Sequence, residues 1–376
     1  SVSGTVLKFD NAMDHSGYKK PAIVIKVEGD EWLEGIDRSQ ELKTEIKATP
    51  DEIRNTVQQA GIVGLGGATF PTHVKLGVPP GKTVEFLLIN GVECEPYLTI
   101  DYRTMIESPA DIVEGLAIAA HIVGAAKAVI AIETNKVDAV PIIEREIPGH
   151  SHGIPMEVVA VATKYPEGGE KMLIKAVTGR EVPSKGLPFD IGVLCQNVGT
   201  LTAITDAFVL GKPLIERGFT VAGGACLSPK NLRAPIGTVI ADLVPDVIQL
   251  SDDVRKVVFG GPMMGIAVST LQIPVAKGTS GVLFFTSAES RQYEERLCIR
   301  CGRCADVCPA RLMPMLMNEA LTSGDLSRAD DIGLTDCFEC GSCSYVCLAR
   351  IPLTQRFKLG KDLVRNLRAK EARHGK

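Results

Sequence analysis

Two short stretches near the start alternate apolar with polar residues or are rich in β-formers: Gly4-Thr5-Val6-Leu7-Lys8-Phe9 and Ala22-Ile23-Val24-Ile25-Lys26-Val27. With a polar turn between them, they predict short β segments over residues 1 to about 40. Thr49-Pro50-Asp51-Glu52 reads as a helix start, with Thr49 as N-cap, Pro50 in the first position and Glu52 three after the cap. That helix is expected to run to about Ala60. Buried-type strands and helices then alternate. Strands are expected at 83–89, 128–132 and 156–162, with helices at 109–123 and 137–147 and another after Lys171. Gly192 to Thr200 adds a strand-to-helix turn carrying amides. This order predicts a doubly wound α/β domain over about 44–210. Residues 211–285 read as a small α+β module, with strands at Phe219-Thr220-Val221 and Lys256-Val257-Val258-Phe259 and a short helix at 239–243. From about 286 the pattern is helical around a set of cysteines.

Composition narrows the class. A chain of 376 residues suggests two or three domains, and 45% apolar content can bury a sizeable core. A net charge of −4 gives no case for nucleic acid. The longest apolar region, Ile112 to Ile132, is broken by Glu114, His121 and Lys127, so no membrane span is expected. No signal peptide is visible. The start at Ser1-Val2-Ser3-Gly4 reads as mid-strand and carries no initiator methionine, so the natural N-terminus is expected upstream.

Eight of the 11 cysteines form two runs, Cys298, Cys301, Cys304, Cys308 and Cys337, Cys340, Cys343, Cys347. Each has the spacing C-x2-C-x2-C-x3-C, and Pro309 follows the first. This is the spacing of two-cluster ferredoxins. Three thiolates on one short loop reach three irons of a cubane, while the fourth points away to the other cluster. The expected ligand sets are therefore Cys298, Cys301, Cys304 and Cys347 for one [4Fe–4S] cluster, and Cys337, Cys340, Cys343 and Cys308 for the other. Zinc is the alternative, but zinc sites usually combine separate C-x2-C pairs. Cys94, Cys195 and Cys226 stand alone, so no disulfide framework is implied and a reducing compartment fits.

A second candidate lies in Gly64-Leu65-Gly66-Gly67-Ala68-Thr69-Phe70-Pro71-Thr72-His73-Val74-Lys75. Such glycines let backbone N–H groups approach an anion, and Lys75 adds a charge of the right sign. No G-K-[ST] follows and no strand leads in, so this is neither a P-loop nor the usual dinucleotide fingerprint. The strand comes afterwards and ends on Asn90-Gly91-Val92-Glu93-Cys94-Glu95-Pro96, where open α/β sheets bind ligands. His73 and the pair Met263-Met264 read as packing or surface residues. Cys94, between two glutamates, reads as an inert thiol of raised pKa. The tail from Thr354 to Lys376 is strongly basic: a solvated helix, or a docking element for an acidic partner or anionic lipid.

Four segments in order resemble the flavin-binding segments of the complex I flavoprotein. They are Gly64-x-Gly66-Gly67-Ala68-x-Phe70-Pro71-Thr72, Asn90-x-x-Glu93-x-Glu95-Pro96, Tyr165-x-x-Gly168-x-Glu170 and Gln196-Asn197-x-x-Thr200. The order of modules is similar to that of the C subunit of Rnf-type electron transport complexes. The resemblance implies a partial β sandwich of lipoyl-carrier type (1–43) and a Rossmann-like FMN- and NADH-binding domain (44–210). A β-grasp ligand-binding module (211–285) and a helical two-[4Fe–4S] ferredoxin domain (286–376) would follow. It also implies that Gly64, Gly66, Gly67, Ala68 and Lys75 hold the FMN phosphate and ribityl chain. Asn90 and Glu93 would lie by the isoalloxazine, with Tyr165, Gly168, Gln196, Asn197 and Thr200 on its other side. Phe70 would stack on the dinucleotide, which Glu95, Glu170 and Lys185 would meet. The chain departs from the complex I pattern at Leu65, Thr69, Val78, Val92 and Gly169.

The resulting expectation is a converter between NAD(H) and iron–sulfur clusters, with non-covalent FMN between them because flavin handles both two-electron and one-electron transfer. Glu95 and Glu170 position and tune, or serve as turn carboxylates. The chain would sit peripherally on the cytoplasmic side of a membrane redox complex. It would exchange electrons toward or from ferredoxin, and partner subunits would translocate Na+ or H+. Two rivals are a soluble flavin and iron–sulfur cobalamin reductase, and an electron-wire protein with a vestigial flavin pocket.

Overall fold

The computed structural model describes residues 2–14, 16–38 and 46–374. The expected boundary at 43/44 lies outside them. The described residues form two compact units, one holding those up to Val182 with Leu187–Ser290, the other Pro183–Gly186 with those from Arg291 onward.

The first unit begins with an antiparallel hairpin, β1 (Gly4–Met13) and β2 (Lys19–Val27). Helix α1 (Pro50–Gln59) starts on the predicted capping box: Thr49 N donates to Glu52 at 2.8 Å and Glu52 N to Thr49 Oγ1 at 3.4 Å. After the short α2 (Thr72–Lys75) comes β3 (Phe86–Gly91), then α3 (Ile100–Glu107) and α4 (Pro109–Val123). Gly124, at φ 63°, ends α4 in the left-handed conformation that glycine adopts without penalty. Then follow β4 (Lys127–Glu133), α5 (Ala139–His150), β5 (Met156–Val161), α6 (Glu170–Thr178), β6 (Val193–Asn197) and α7 (Val198–Val209).

Strands β3 to β6 make one parallel sheet in the order β5-β4-β3-β6. Alternate residues feed opposite cores. Leu87, Ile89, Ala128, Ile130 and Leu194 face the helices around α4 and α7. Leu88, Val129, Ala131, Val193 and Cys195 face the α6 side. Burial on both faces explains the near-continuous apolar runs, and the doubly wound expectation is met. The strand expected from Thr83 begins at Phe86, where Glu85 N and Phe86 N both donate to Gly192 O.

Ile112 to Ile132, the longest apolar region, is a helix and a buried strand, and its one fully buried acid, Glu114, is met by His150 and His152 at 3.2 and 2.8 Å. Among the described residues no helix is long and apolar enough to cross a membrane.

A second, mixed sheet completes this unit. It contains β7 (Glu216–Ala222), β8 (Lys230–Pro235), β9 (Lys256–Phe259), β10 (Ile266–Val268) and β11 (Gly281–Phe285), in the order β10-β9-β11-β7-β8. Only the β11–β7 pair is parallel. The helix expected at 239–243 is a single 3₁₀ turn, Ile240–Leu243.

The second unit is helical: α8 (Arg303–Asp306), α9 (Pro314–Thr322), α10 (Leu326–Asp331), α11 (Ser342–Tyr345) and α12 (Leu353–His374). Its core gathers Met317, Leu334, Ile351, Leu353 and Phe357 around cysteines of both runs.

Helix α4 crosses α7 at close range. A Cβ at Gly115 would stand 2.2 Å from the Leu201 carbonyl oxygen and 2.8 Å from Thr205 Oγ1. At Gly149 in α5 a Cβ meets nothing within 4 Å. Gly115→Ala is therefore expected to cost about 1–3 kcal/mol or more, whereas Gly149→Ala leaves stability unchanged or raises it by up to about 1 kcal/mol. Denaturant unfolding of the two variants checks this contrast.

Candidate functional site

The first strand of the parallel sheet, β3, lies in its interior, with β4 on one side and β6 on the other. The chain runs outward from β3 through β4 to β5 and then crosses back to place β6 on the other side of β3, so the crevice at the C-terminal ends of β3 and β6 is a topological switch point. Asn90 and Asn197 are register partners there, as are Ile89 and Gln196.

The glycine loop is a closed turn. Val63 bridges Pro71, and Gly64 N donates to Phe70 O at 2.9 Å. From beneath, Leu65 N donates to Thr200 Oγ1 at 3.0 Å, and Leu65 O accepts from Arg217 Nη2 at 2.7 Å. Gly66, Gly67 and Ala68 are exposed above. Gly67 has φ 109°, and a Cβ there would meet nothing within 4 Å, so the loop presents bare backbone to open space. Phe70 stands half exposed at the loop's end. Thr200 is fully buried and supports the loop instead of lining its open face.

Facing loops pack closely. Asn90 Nδ2 donates to Gly168 O at 2.8 Å, and Asn90 Oδ1 accepts from Val92 N at 3.0 Å. A Cβ at Gly168 would fall 2.4 Å from Val92 O and 2.9 Å from Cys94 Sγ, so only glycine fits. Tyr165 is half-buried in the same segment. Lys75 pairs with Glu170, the first residue of α6, at 2.6 Å. Glu95 holds another loop: its carboxylate accepts from Met263 N at 3.0 Å and Met264 N at 2.8 Å. Lys185 belongs to the second unit, where its N–H donates to Asp336 at 3.2 Å.

Beneath the loop lies a set of buried charges, largely missed in the sequence. Glu93 caps α3, accepting from Asp101 N and Tyr102 N at 3.0 and 3.2 Å. Lys136 donates to Glu93 O at 3.0 Å and pairs with Glu133 at 3.1 Å. Asn197 caps α7 through Oδ1 and donates Nδ2 to Asp101 at 2.7 Å. Arg217, from the second sheet, donates to Thr279 O and Leu65 O and attracts Asp101 and Glu93. Burial lowers the Arg217 pKa to about 10. Burial, and then the Asp101 charge, raises that of Glu93 to about 7. The sequence offered no local signal for Asp101 or Arg217, because Asn197, Leu65 and Thr279 lie far away along the chain; Lys136 has Glu133 three residues before it, but its bond to Glu93 O is equally distant. Burial, with Glu95 and Glu133 adding to it, also raises Cys94 to about 11, in line with an inert thiol.

The eight cysteines line two hollows. Cys298, Cys301, Cys304 and Cys347 line one. Cys308, Cys337, Cys340 and Cys343 line the other. Each hollow thus draws three cysteines from one run and the last from the other. Among the described residues no three His, Cys, Asp or Glu side chains converge as on a single ion. The two runs share one backbone. Arg300 and Glu339 have φ 53° and 60°, Gly302 and Gly341 78° and 82°, Arg311 and Arg350 54° and 57°. Leu312 N donates to Cys308 Sγ at 3.3 Å and Ile351 N to Cys347 Sγ at 3.4 Å.

These geometries fit the domain models that match the chain: a Nuo51 FMN-binding domain over residues 57–206 and a 4Fe-4S dicluster domain over 291–348. Thr72 Oγ1 and Gln196 Nε2 are buried without a partner, which suits a crevice that receives a polar ligand. The C subunit of a proton-translocating ferredoxin:NAD(+) oxidoreductase complex from Clostridium ljungdahlii is 45% identical, over 85% of this chain and 68% of its own length. The chain belongs to the family of C subunits of ion-translocating oxidoreductase complexes. A second member, from the Na(+)-translocating complex of Acetobacterium woodii, is 42% identical over 85% of this chain and 71% of its own. A third, from Rhodobacter capsulatus, is 42% identical over 92% and 66%. The fold of this C-subunit family member also matches an NAD+-reducing [NiFe]-hydrogenase in its H2-reduced state, at TM-score 0.59 and 21% identity, over 83% of this chain and 63% of that one.

The raised Glu93 pKa has a definite sign for stability. The unfolded chain releases this proton near 4.5, the folded chain near 7. Between those values the folded state binds more protons, so stability falls as pH rises through that window. Glu93→Gln is expected to flatten the fall. Thermal midpoints measured from pH 4.5 to 8 check it, and parallel profiles for the two proteins would count against it.

Proposed function

We propose that this chain is the NAD(H)-reactive, peripheral subunit of a membrane redox complex on the cytoplasmic side. It carries electrons between NAD(H), FMN and two [4Fe–4S] clusters, toward or from ferredoxin, while partner subunits translocate Na+ or H+. The observation that carries this reading is the pairing, in one chain, of an open glycine loop at a switch point with two cysteine-lined hollows. FMN, when bound, supplies the change between two-electron and one-electron transfer.

The chain's own part is placement. Exposed N–H groups at Gly66, Gly67 and Ala68, with Gly64 behind them, hold the phosphate end of FMN. Lys75 exchanges part of its Glu170 partnership for that phosphate. Asn90 and Asn197, each fixed by a second hydrogen bond, and Gln196, which has none, present amides at the strand ends. Phe70 offers an exposed ring for stacking on the dinucleotide. Glu93 and Glu95 act from behind, fixing α3 and the Met263-Met264 loop. Cys298, Cys301, Cys304 and Cys347 hold one cluster; Cys308, Cys337, Cys340 and Cys343 hold the other. In this reading residues 44–210 serve as the FMN- and NADH-binding module, 211–285 as a β-grasp ligand-binding module and 286–376 as the cluster module.

Reconstituted protein should show a flavin spectrum bleached by NADH and the EPR signals of two reduced cubanes. Cys347→Ala is expected to remove the cluster of the Cys298 run and leave the other. Cys308→Ala should do the reverse. Loss of the same-run cluster in either variant would overturn the crossed assignment. Clusters without bound FMN or NADH oxidation would overturn the function.

A further inference from the structure

The two cysteine hollows differ in their surroundings. Cys340 and Cys343 of one are buried, whereas Cys298 and Cys301 of the other are exposed. In the shared backbone, Arg300 and Arg303 of the first run stand where the second has Glu339 and Ser342. Glu339 is paired with Lys361 at 2.7 Å, so charge beside the second hollow is balanced internally. Arg300 and Arg303 are exposed.

An open hollow adjoins the first site, lined by Arg303, Asp306, Val307, Tyr345, Leu348 and Arg350, with Cys347 in its wall. It shares Arg303, Cys347 and Leu348 with the cavity of the Cys298 run, so only one layer of side chains separates the two. Tyr345 is 76% exposed and Leu348 49%. Arg350 lies 4.1 Å over the Tyr293 ring, which holds its charge at the rim. Exposed Tyr and Arg beside small apolar groups are the residue types that dominate interface energetics.

We infer that this hollow is the docking site of an acidic redox protein, which exchanges electrons with the cluster held by Cys298, Cys301, Cys304 and Cys347. The inference rests on the cluster reading above. Two arginines against one aspartate at the hollow, with Arg300 beside it, select a partner carrying carboxylates around its own redox centre. A second copy of this chain would bring like charges face to face. With a cluster held by Cys298, Cys301, Cys304 and Cys347, one electron would pass per encounter between it and the partner's centre, one oxidised as the other is reduced, with no bond made or broken.

The basic tail is not the better candidate. On α12, Arg356 is held by Glu295 and Asn318, Lys361 by Glu339 and the Cys337 carbonyl, Arg365 by Asp362 and Arg368 by Asp330. Much of its charge is spent inside the unit.

The test uses full-length protein loaded with FMN and both clusters, pre-reduced by NADH. Stopped-flow absorbance follows electron exchange with an acidic two-[4Fe–4S] ferredoxin and with basic cytochrome c. In the double variant R303E/R350E the ferredoxin rate is expected to fall at least tenfold and lose most of its salt dependence, while the cytochrome c rate rises. Tyr345→Ala should slow ferredoxin severalfold, with cluster EPR unchanged. Unaltered rates in both variants would overturn the inference. So would a loss confined to binding of phosphatidylglycerol vesicles. Should the unmodified chain lack flavin bleaching or cubane EPR signals, the functional reading itself fails, and the docking proposal with it.

Discussion

The glycine loop keeps its shape because Arg217 is buried beneath it. That guanidinium donates to the Leu65 carbonyl on one side and the Thr279 carbonyl on the other, so it joins the loop to the second sheet. It also sits among Asp101 and Glu93, whose charges offset the cost of burying it. Each member holds a piece of the site. Glu93 caps α3, Asp101 fixes the Asn197 amide, and Thr200 catches the Leu65 N–H. A buried charge set is expensive unless every partner is in place. Its presence under an exposed backbone loop fixes that loop without covering it.

The second sheet therefore does more than extend the chain. It supplies Arg217, and its Gly260–Gly265 loop is clasped by Glu95. Gly261 lies so close to that carboxylate that a Cβ would stand 2.2 Å from it. Glu95 follows β3 by only a few residues, so the strand that carries Asn90 to the crevice also anchors the neighbouring sheet. Residues that a motif comparison assigns to a ligand thus divide into two sets. Gly66, Gly67 and Phe70 are exposed and Asn90 stands near the end of β3, whereas Glu93, Glu95 and Thr200 hold neighbouring backbone N–H groups.

In the cluster unit the same backbone is used twice, with left-handed turns at matching positions. The repeat crosses its last cysteine to the other hollow. Differences in the side chains between the repeats, Arg300 for Glu339 and Arg303 for Ser342, then give two like sites unlike surfaces. One has two buried cysteines and a paired Glu339 beside it; the other has two exposed cysteines and two exposed arginines.

Much of this was legible in the sequence where the governing interaction is local. Capping at Thr49 and Glu52, the helix from Pro109 to Val123, and the two-faced apolar strands follow from spacing alone, because each depends on neighbours within a turn or a pleat. The cysteine spacing pointed to cubanes for the same reason. The crevice could not be read this way. That β3 lies between β4 and β6, that Arg217 lies under Leu65, and that Lys75 meets Glu170 depend on strand order and on contacts between residues far apart in the chain. Sequence periodicity says which face of an element is buried, not which distant element covers it. Only the tertiary structure decided which of the motif's carboxylates build the site and which remain at its surface.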